Sequence, residues 1–531
     1  MTGTRRFWGW GWEEVEPTEA ELDRVEAGLA GALGMTSLSP RPRPRAAELS
    51  LPAARVSLPT SLGHLQRDSP VERAQHSYGR SYRDLVRATA LCFDHPPDIV
   101  AYPESEDDVR RVLDFASTQR IAVIPYGGGS SVCGGVEPLV GADFRGTLSL
   151  DLTRLSRVLE VDLESRCARV QAGVLGPQLE AQLRGHGLTL RHFPQSFEFS
   201  SLGGWIATRA GGHFATVYTH IDDLVQAVRV VTPSGALETR RLPGSGAGPD
   251  PNRLFIGSEG TLGVITEAWV RLQQRPIFRA KANVRFESFR VAATALRALS
   301  QSGLYPANAR LVDPMEAMLN GVGDGQSAVL LLGFESQDHT LDAWLSRAVE
   351  ICRAAGGRVP DSAVATRTDA GASSEGDAGT WRQSFLRAPY LRDELVLRGV
   401  FVETFETAVT WDRFEALHDA VIAAARRALG QPAVVTCRIT HVYPDGPAPY
   451  FTVIAPARLG SELTQWAEVK DAITLAMLEH GGTTTHHHAV GRDVVPYYEQ
   501  ERPEPFARAM RAVKRELDPQ GVLNPGVLWR E

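Results

Sequence analysis

The apolar run Ile121-Ala122-Val123-Ile124-Pro125 leads without a break into Tyr126-Gly127-Gly128-Gly129-Ser130-Ser131. Glycines directly after a strand let the backbone turn sharply and aim several N–H groups at one spot, a nest suited to phosphate or pyrophosphate. The pattern is not G-x-x-x-x-G-K-[ST], so a P-loop is unsupported. It is not G-x-G-x-x-G opening a helix either, which weakens a nicotinamide-type Rossmann turn. Alone, three glycines are as often only a tight turn. Two further segments sharpen the signal. Pro194-Gln195-Ser196-Phe197-Glu198-Phe199-Ser200-Ser201 runs into Gly203-Gly204-Trp205 and then Thr208-Arg209-Ala210-Gly211-Gly212, and Gly257-Ser258-Glu259-Gly260-Thr261-Leu262-Gly263-Val264-Ile265 sits between strand-like runs. Three Gly/Ser-rich turns at sheet edges can line one long anionic dinucleotide.

The rest of the pattern supplies elements to carry those turns. Ile99 to Tyr102 reads as a strand, and Ser105 caps a helix with Glu106, Asp107 and Asp108 in its first turn and an apolar face at Val109, Val112, Leu113 and Phe115. Leu148 to Leu152 and Val158 to Val174 read as strands, Gly176 to Gly187 as a helix, and Leu224 to Thr239 as a hairpin turning at Pro233-Ser234-Gly235. A second region, from about Arg279 to Glu479, mixes strands such as Ala328 to Phe334 and Tyr450 to Ala455 with helices such as Trp411 to Leu429. Thr368 to Gly379 is small and polar, a mobile loop by composition. Arg502 to Leu517 is an amphipathic helix stopped by Asp518-Pro519. Ahead of all this, residues 1–95 read as an extension: Trp8, Trp10 and Trp12 packing on a neighbouring domain, a helix from Thr18 to Leu33, and a Pro-rich connector, Ser39 to Arg45. The expected division is 1–95, 96–275, 276–480 and 481–531, in an α+β fold.

Composition removes other classes. Of 531 residues, 43% are hydrophobic and 22% charged, which excludes disorder of the whole. The net charge of -7 argues against a bulk nucleic-acid binder. No apolar run nears the ~20 residues of a membrane span, and the first sixteen residues carry no apolar signal-peptide core. Cys92, Cys133, Cys167, Cys352 and Cys437 are scattered and outside any CxxC spacing, which suits a reducing, cytoplasmic setting rather than a disulfide or zinc framework.

These turns resemble the flavin-binding domain of the vanillyl-alcohol oxidase-type flavoproteins, from about Asp98 to the C-terminus. Within that family the chain is more similar to the alkyldihydroxyacetonephosphate synthase branch, through Pro125 to Ser131, Ser196 to Ser200 with Gly203-Gly204-Trp205, Gly257 to Glu267, Tyr390-Leu391-Arg392-Asp393, Phe405-Glu406-Thr407 with Trp411-Asp412-Arg413, and His486-His487-His488-Ala489-Val490-Gly491. The resemblance implies an α+β flavin-binding domain with a cap domain carrying an antiparallel sheet. It implies FAD held by Pro125-Tyr126-Gly127-Gly128-Gly129-Ser130-Ser131, Gln195 to Ser201, Thr208-Arg209-Ala210-Gly211 and Glu259 to Ile265. Ser130 stands where covalently flavinylated relatives often carry histidine, so FAD is expected to be non-covalent, with Cys133 the one nearby nucleophile. The family has Asp at Gln195 and Ser at Gly211.

The resemblance further implies Tyr450 as general acid/base, Arg392 on the substrate phosphate, Arg310 as a second required arginine, His192 and His486 to His488 in the active site, and Asn524 to Leu528 returning to it. The implied reaction exchanges the acyl group of 1-acyl-dihydroxyacetone phosphate for a fatty alcohol, and it leaves room for peripheral membrane contact and for a homodimer. The alternative is a flavin-linked D-2-hydroxyacid dehydrogenase or oxidase, whose relatives usually carry a Glu-His-Gly loop where this chain has His487-His488-Ala489. A non-catalytic flavoprotein is the third reading.

From the residues alone, Tyr450 on a strand is more often a core or rim aromatic. With an unperturbed pKa near 10 it needs a neighbouring cation to serve as a base. Arg392 and Arg310 would ordinarily be surface or ion-paired, and His192 structural. Consecutive histidines on an extended segment alternate faces, so His486, His487 and His488 are expected to form a polar loop and no metal site.

Overall fold

The computed structural model describes residues 3–36, 38, 40–360, 363–368, 376–430 and 432–530, with backbone alone over 376–386. Three sheets organise it. The first runs in the order Gln66–Arg67, Ile99–Ala101, Gly146–Asp151, Ile121–Tyr126, the last three strands parallel. Parallel strands need a crossover, and the helix Glu106–Gln119 supplies it. Its cap is the expected one: Ser105 Oγ accepts from Asp108 N at 3.1 Å, and Asp108 Oδ2 accepts from Ser105 N. Val109, Val112, Leu113 and Ala116 bury the helix against the sheet, and Leu58, Leu62 and Leu65 join the same core. This layer therefore begins well before residue 96.

The second sheet is antiparallel, in the order Val158–Asp162, Cys167–Gln171, Val264–Arg271, Val225–Thr232, Gly235–Glu238. The hairpin read between Leu224 and Thr239 is there, with Gly235 at φ 138° in its turn.

The third sheet has seven strands, in the order Val364–Thr368, Phe278–Phe286, Ala328–Ser336, Asn308–Val312, Val434–Val442, Pro447–Pro456, Val400–Glu406, every pair antiparallel. Alternation along each strand divides its two faces. Ala282, Val284, Phe286, Leu330, Phe451 and Val453 are buried with Leu296, Leu345, Leu417 and Ile473 from the helices Phe289–Ser300, Asp342–Ala354, Phe414–Leu429 and Glu462–Glu479. The opposite face is mixed: Val312, Val329, Leu331, Val400 and Val402 form apolar clusters there beside polar side chains such as Arg310, Arg438 and Glu406.

The C-terminal segment returns to the first sheet, while the N-terminal helix Glu19–Leu33 packs Leu29 and Leu33 on Val400 and Val402 of the third. Val123 N donates to Val522 O at 2.7 Å and Asn524 N to Val123 O at 2.8 Å. Near the N-terminus the helix Glu19–Leu33 carries the Thr18/Glu21 capping box, and Trp8 and Trp10 are buried, as packing predicts. The expected loop over 368–379 falls largely outside the described residues; where description resumes, the backbone is already helical, in Gly376–Leu397. Among the described residues no helix is long and apolar enough to cross a membrane.

Candidate active site

The glycine-rich turns meet each other. A Cβ on Gly128 would stand 1.4 Å from Phe199 O, and one on Gly127 would stand 2.1 Å from Ser201 Oγ, so only glycine lets the Pro125–Ser131 turn close on the Gln195–Ser201 turn. Gly260 packs its Cα against Pro125 in the same way. Ser201 then caps the helix Leu202–Thr208, its Oγ accepting from Gly204 N at 3.2 Å. Arg209, in the left-handed region at φ 51°, ends that helix and pairs with Asp222 at 2.9 Å. Of the candidate cofactor residues, Leu262, Val264 and Ile265 instead carry side chains into the core, so they can serve a ligand only through backbone.

Glu259 has a different task from the one its loop suggested. It is buried at φ 49°, and its carboxylate accepts from Val490 N and Gly491 N, both at 2.8 Å. It thereby anchors the segment that follows the three histidines. Burial pushes its carboxyl up to about 7, against the pull of those two N–H donors. Asn524 Nδ2 donates to Glu259 O at 2.8 Å, which brings the C-terminal stretch to this junction as well.

The second cluster lies on the face of the seven-stranded sheet opposite its helices. Register places Glu406, Tyr450 and Arg438 side by side on three neighbouring strands, with Val312 next in the row and Arg310 two residues along on the same face. A bulge between Ile439 and His441 adds one residue, so His441 joins the face of Arg438 instead of the opposite one. The Arg438 guanidinium lies 3.8 Å from the Tyr450 ring centroid and is held by Glu316 at 2.7 Å. The cation that a phenolic base needs is therefore present. Even so, burial pushes the Tyr450 hydroxyl up from its ordinary value, and Arg438, Thr404 and Arg392 only offset part of that rise.

Glu406 holds the histidine loop. Its carboxylate accepts from the backbone N–H of His487 at 3.2 Å and of His488 at 3.0 Å, and also from His486 N and Thr485 Oγ1. Burial alone would raise its carboxyl, but the His488 and His486 rings and these donors bring it below the usual range. The Tyr450 ring centroid stands 6.0 Å from that of His487 and 5.5 Å from that of His488. Burial, then neighbouring rings of like charge, hold His486 and His487 well below the usual imidazole value.

The expectation that consecutive histidines diverge is not met. The loop is bent rather than extended, His486 Nδ1 lies 3.0 Å from His487 Nδ1, and ligand atoms of His441, His486 and His487 all fall within 4.8 Å of one another, close enough to hold a metal ion. His441 Nε2 is already engaged by Gly212 O at 2.7 Å, and His486 Nε2 by Tyr443 Oη at 2.7 Å. The trio is thus woven into a hydrogen-bond network with His220, which approaches His486 at 3.1 Å. Gly211 belongs to this cluster: a Cβ there would meet His487 at 3.1 Å and His441 at 3.2 Å, so histidine packing occupies the space beside it.

The remaining candidates divide. Arg310 is buried, its Nη2 is 3.2 Å from His213 Nδ1, and burial with the nearby Arg438 lowers it to about 9. His192 is 1% exposed with neither ring nitrogen bonded, and burial lowers it to about 3. It is a neutral ring beside Trp205, at 5.0 Å between centroids. Arg392 does not pair with Asp393 on its own helix; its Nε is buried without a partner, and Asp393 instead accepts from Trp10 N at 2.6 Å. Cys133 is buried, its Sγ donates to His488 O at 3.1 Å, and burial followed by Glu259 pushes its thiol well up, away from the reactive thiolate.

Residue-by-residue reading missed Arg438, His441 and the tasks of Glu406 and Glu259. The one available signal was alternation: polar Arg438 and Glu406 stand at positions of buried strands where an apolar residue would be expected.

The turns and buried unpaired polar atoms fit a flavin dinucleotide: closely apposed glycine turns offer backbone donors, and His192 leaves two ring nitrogens for a ligand. Comparison with known proteins agrees. Residues 97–240 match the FAD binding domain family and residues 275–528 the C-terminal domain of FAD linked oxidases. Fold and site thus define an FAD-linked flavoprotein of the oxidase type. Among relatives, an alkyldihydroxyacetonephosphate synthase of Trypanosoma brucei brucei is 33% identical over 86% of this chain and 77% of its own length, and one of Dictyostelium discoideum is 31% identical over the same shares. The chain belongs to this synthase family. A solved alkyldihydroxyacetonephosphate synthase superposes with a TM-score of 0.82 at 26% identity, covering 98% of each chain. A glycolate oxidase subunit of Bacillus subtilis is more distant, at 28% over 82% of this chain and 89% of its own.

Proposed function

We propose that this chain is an FAD-dependent alkylglycerone-phosphate synthase: it replaces the acyl group of 1-acyl-dihydroxyacetone phosphate with a long-chain alcohol. The bond from C1 to the ester oxygen breaks, a bond from C1 to the alcohol oxygen forms, and the acyl group leaves as a carboxylate with the alcohol proton lost. Donor and product are at the same oxidation level. The observation that carries this reading is the Glu406–Tyr450–Arg438 row facing the histidine loop, in a chain of this family. When bound, FAD would supply the electron-accepting ring that makes C1 reactive.

The other parts belong to the protein. Tyr450 moves the C1 proton at its Oη, with Arg438 across its ring favouring the ionised form. Arg392 holds the phosphate through its unpartnered guanidinium edge. Neutral His487 and His488 orient the substrate beside Tyr450, and Glu406 fixes their backbone. His192 and Arg310 line the space behind, and the turns Pro125–Ser131, Gln195–Ser201, Thr208–Gly211 and Glu259–Ile265 hold FAD without a covalent bond, because Cys133 is kept protonated. The flavin side is assigned to 96–275, the cap to 276–480 and the returning segment to 481–531. The protein works in the cytoplasm, at a membrane surface when it collects its lipid substrates.

The test mixes FAD-loaded protein with 1-palmitoyl-dihydroxyacetone phosphate and hexadecanol and reads O-alkyl product and palmitate by mass spectrometry. Product that vanishes in Tyr450→Phe and Arg392→Ala supports both assignments. Absence of product together with flavin bleaching by a D-2-hydroxy acid refutes the synthase reading.

A further inference from the structure

A second cluster of charge runs from the Gly127–Ser131 turn to Arg392. Arg5, in the N-terminal segment, donates from Nη2 to Gly128 O at 3.2 Å and stands 4.2 Å from the Phe199 ring centroid. Arg80 donates its backbone N–H to Ser131 O at 2.6 Å, so it flanks the other end of the same turn. Its Nη1 serves the carbonyls of Tyr78 and Gly79. Arg6 is buried over Tyr390 and reaches Asp393, the residue after Arg392.

Buried nitrogens remain unbonded on all four: Nε of Arg5, Nη1 of Arg6, Nε and Nη2 of Arg80, and Nε of Arg392. Against them stands Asp393, whose Oδ2 lies 3.8 Å from Arg6 Nη1 and already accepts from Trp10 N, while its Oδ1 is also unbonded. Nearby carboxylates are committed elsewhere: Asp151 to His76 at 3.0 Å and to Thr153, Glu198 to Trp12 Nε1 at 2.9 Å. Among the described residues neither Arg5 nor Arg80 has an ion pair. The field of Arg80 helps to depress Arg5 after burial itself, and Arg392, Arg6 and Arg80 all act on Asp393. Three guanidiniums around Asp393, with Arg5 beside Arg80 and without an ion pair, are costly unless an anion with several oxygens completes the set.

We propose that Arg5, Arg6 and Arg80, together with Arg392, form a buried phosphate-binding centre built partly from the N-terminal segment. Two sources share that chemistry: the diphosphate of the cofactor, because Arg5 and Arg80 flank the glycine turn, and the phosphomonoester of the substrate, because Arg6 reaches Asp393, the sequence neighbour of Arg392. The second source rests on the function proposed above. The N-terminal segment is thereby part of the site, and its tryptophans are the packing that holds Arg5 and Arg6 in place: Trp10 and Trp12 stand on Phe199 at 5.3 and 5.0 Å.

The test uses the full chain and reads binding, without turnover. FAD affinity of the apoprotein is measured by flavin fluorescence, and dihydroxyacetone phosphate affinity of the FAD-loaded protein by calorimetry, in wild type, Arg5→Gln, Arg80→Gln and Arg80→Lys. One of the two affinities is expected to fall about 10- to 100-fold in each Gln variant, with Arg80→Lys recovering most of the loss, which a folding defect would not allow. A fall for FAD with riboflavin binding unchanged assigns the centre to the cofactor diphosphate. A fall for dihydroxyacetone phosphate at constant FAD affinity assigns it to the substrate. Wild-type affinity for both ligands in both Gln variants overturns the proposal, whether or not the wild type makes ether product.

Discussion

The two halves of the site are built by different means. On the side proposed to hold the flavin, the turns close through what their residues lack: Gly127 and Gly128 have no room for a methyl group. On the cap side, the proposed working groups are side chains, and Glu406, Tyr450 and Arg438 come from three strands, with Arg438 and Tyr450 twelve positions apart. A backbone nest tolerates change in every residue that is not a glycine, whereas a side-chain row fails when one member changes.

The largest effect should come from attacking the nest. In Gly128→Ala the added methyl overlaps Phe199 O, so the two turns must separate; purified protein should carry almost no FAD by its absorption near 450 nm and melt well below wild type. Normal FAD content would show that the turns are not held as tightly as described. The matching attack on the row is Tyr450→Phe. It should leave FAD content and thermal stability near wild type and lower ether-product formation by about 10^2- to 10^4-fold, the usual worth of a positioned acid/base. Parallel loss of FAD would mean that the two halves are not separable.

Buried histidines on both sides set an acid limit for the fold. His192 is lowered to about 3 and His441 to about 4, burial first in both, from an ordinary 6.5. The unfolded chain takes up their protons near 6.5 and the folded one does not, so stability is complete above that pH and is lost as pH falls toward 4. The loss is about 1.4 kcal/mol per pH unit for each ring. Melting followed from pH 7.5 to 5 should show a steep fall that His192→Asn makes shallower; equal slopes would place His192 in contact with solvent. Arg438→Gln sharpens the comparison further. Removing that cation raises the Tyr450 hydroxyl, so if the ionised form works, the rising limb of the pH–rate profile moves about one pH unit higher, at unchanged FAD affinity. An unmoved limb would take the base role from Tyr450. The smallest effect is expected at Cys133→Ser: acid precipitation should release free FAD from variant and wild type alike, and flavin that stays with the wild-type pellet alone would identify Cys133 as an attachment point.

Much of the flavin side was legible without coordinates because its determinants are local. Strand, turn and cap follow one another within a few residues, and Ser105 with Asp108 closes its bonds inside a single turn of helix, whereas the helix Leu202–Thr208 capped by Ser201 stands where only a glycine-rich turn was expected. The N-terminal tryptophans were legible as packing, though not what they pack on. On the cap side, Tyr450, Arg310, Arg392 and the histidines could be picked out one at a time through family resemblance, while Arg438 and His441 could not. Their relevance depends on register and on one inserted residue, and a single-residue slip would turn every side chain of the strand to the other face.

Local chemistry therefore settled where the backbone turns and which segments can cradle an anionic dinucleotide, since turn geometry is a property of adjacent residues. Tertiary structure alone decided which side chains act together: strand register aligned Glu406, Tyr450 and Arg438, the bulge swung His441 onto their face, and burial set the protonation of the histidines and Glu259. Those quantities depend on neighbours up to hundreds of residues away, and no pattern along the chain carries them.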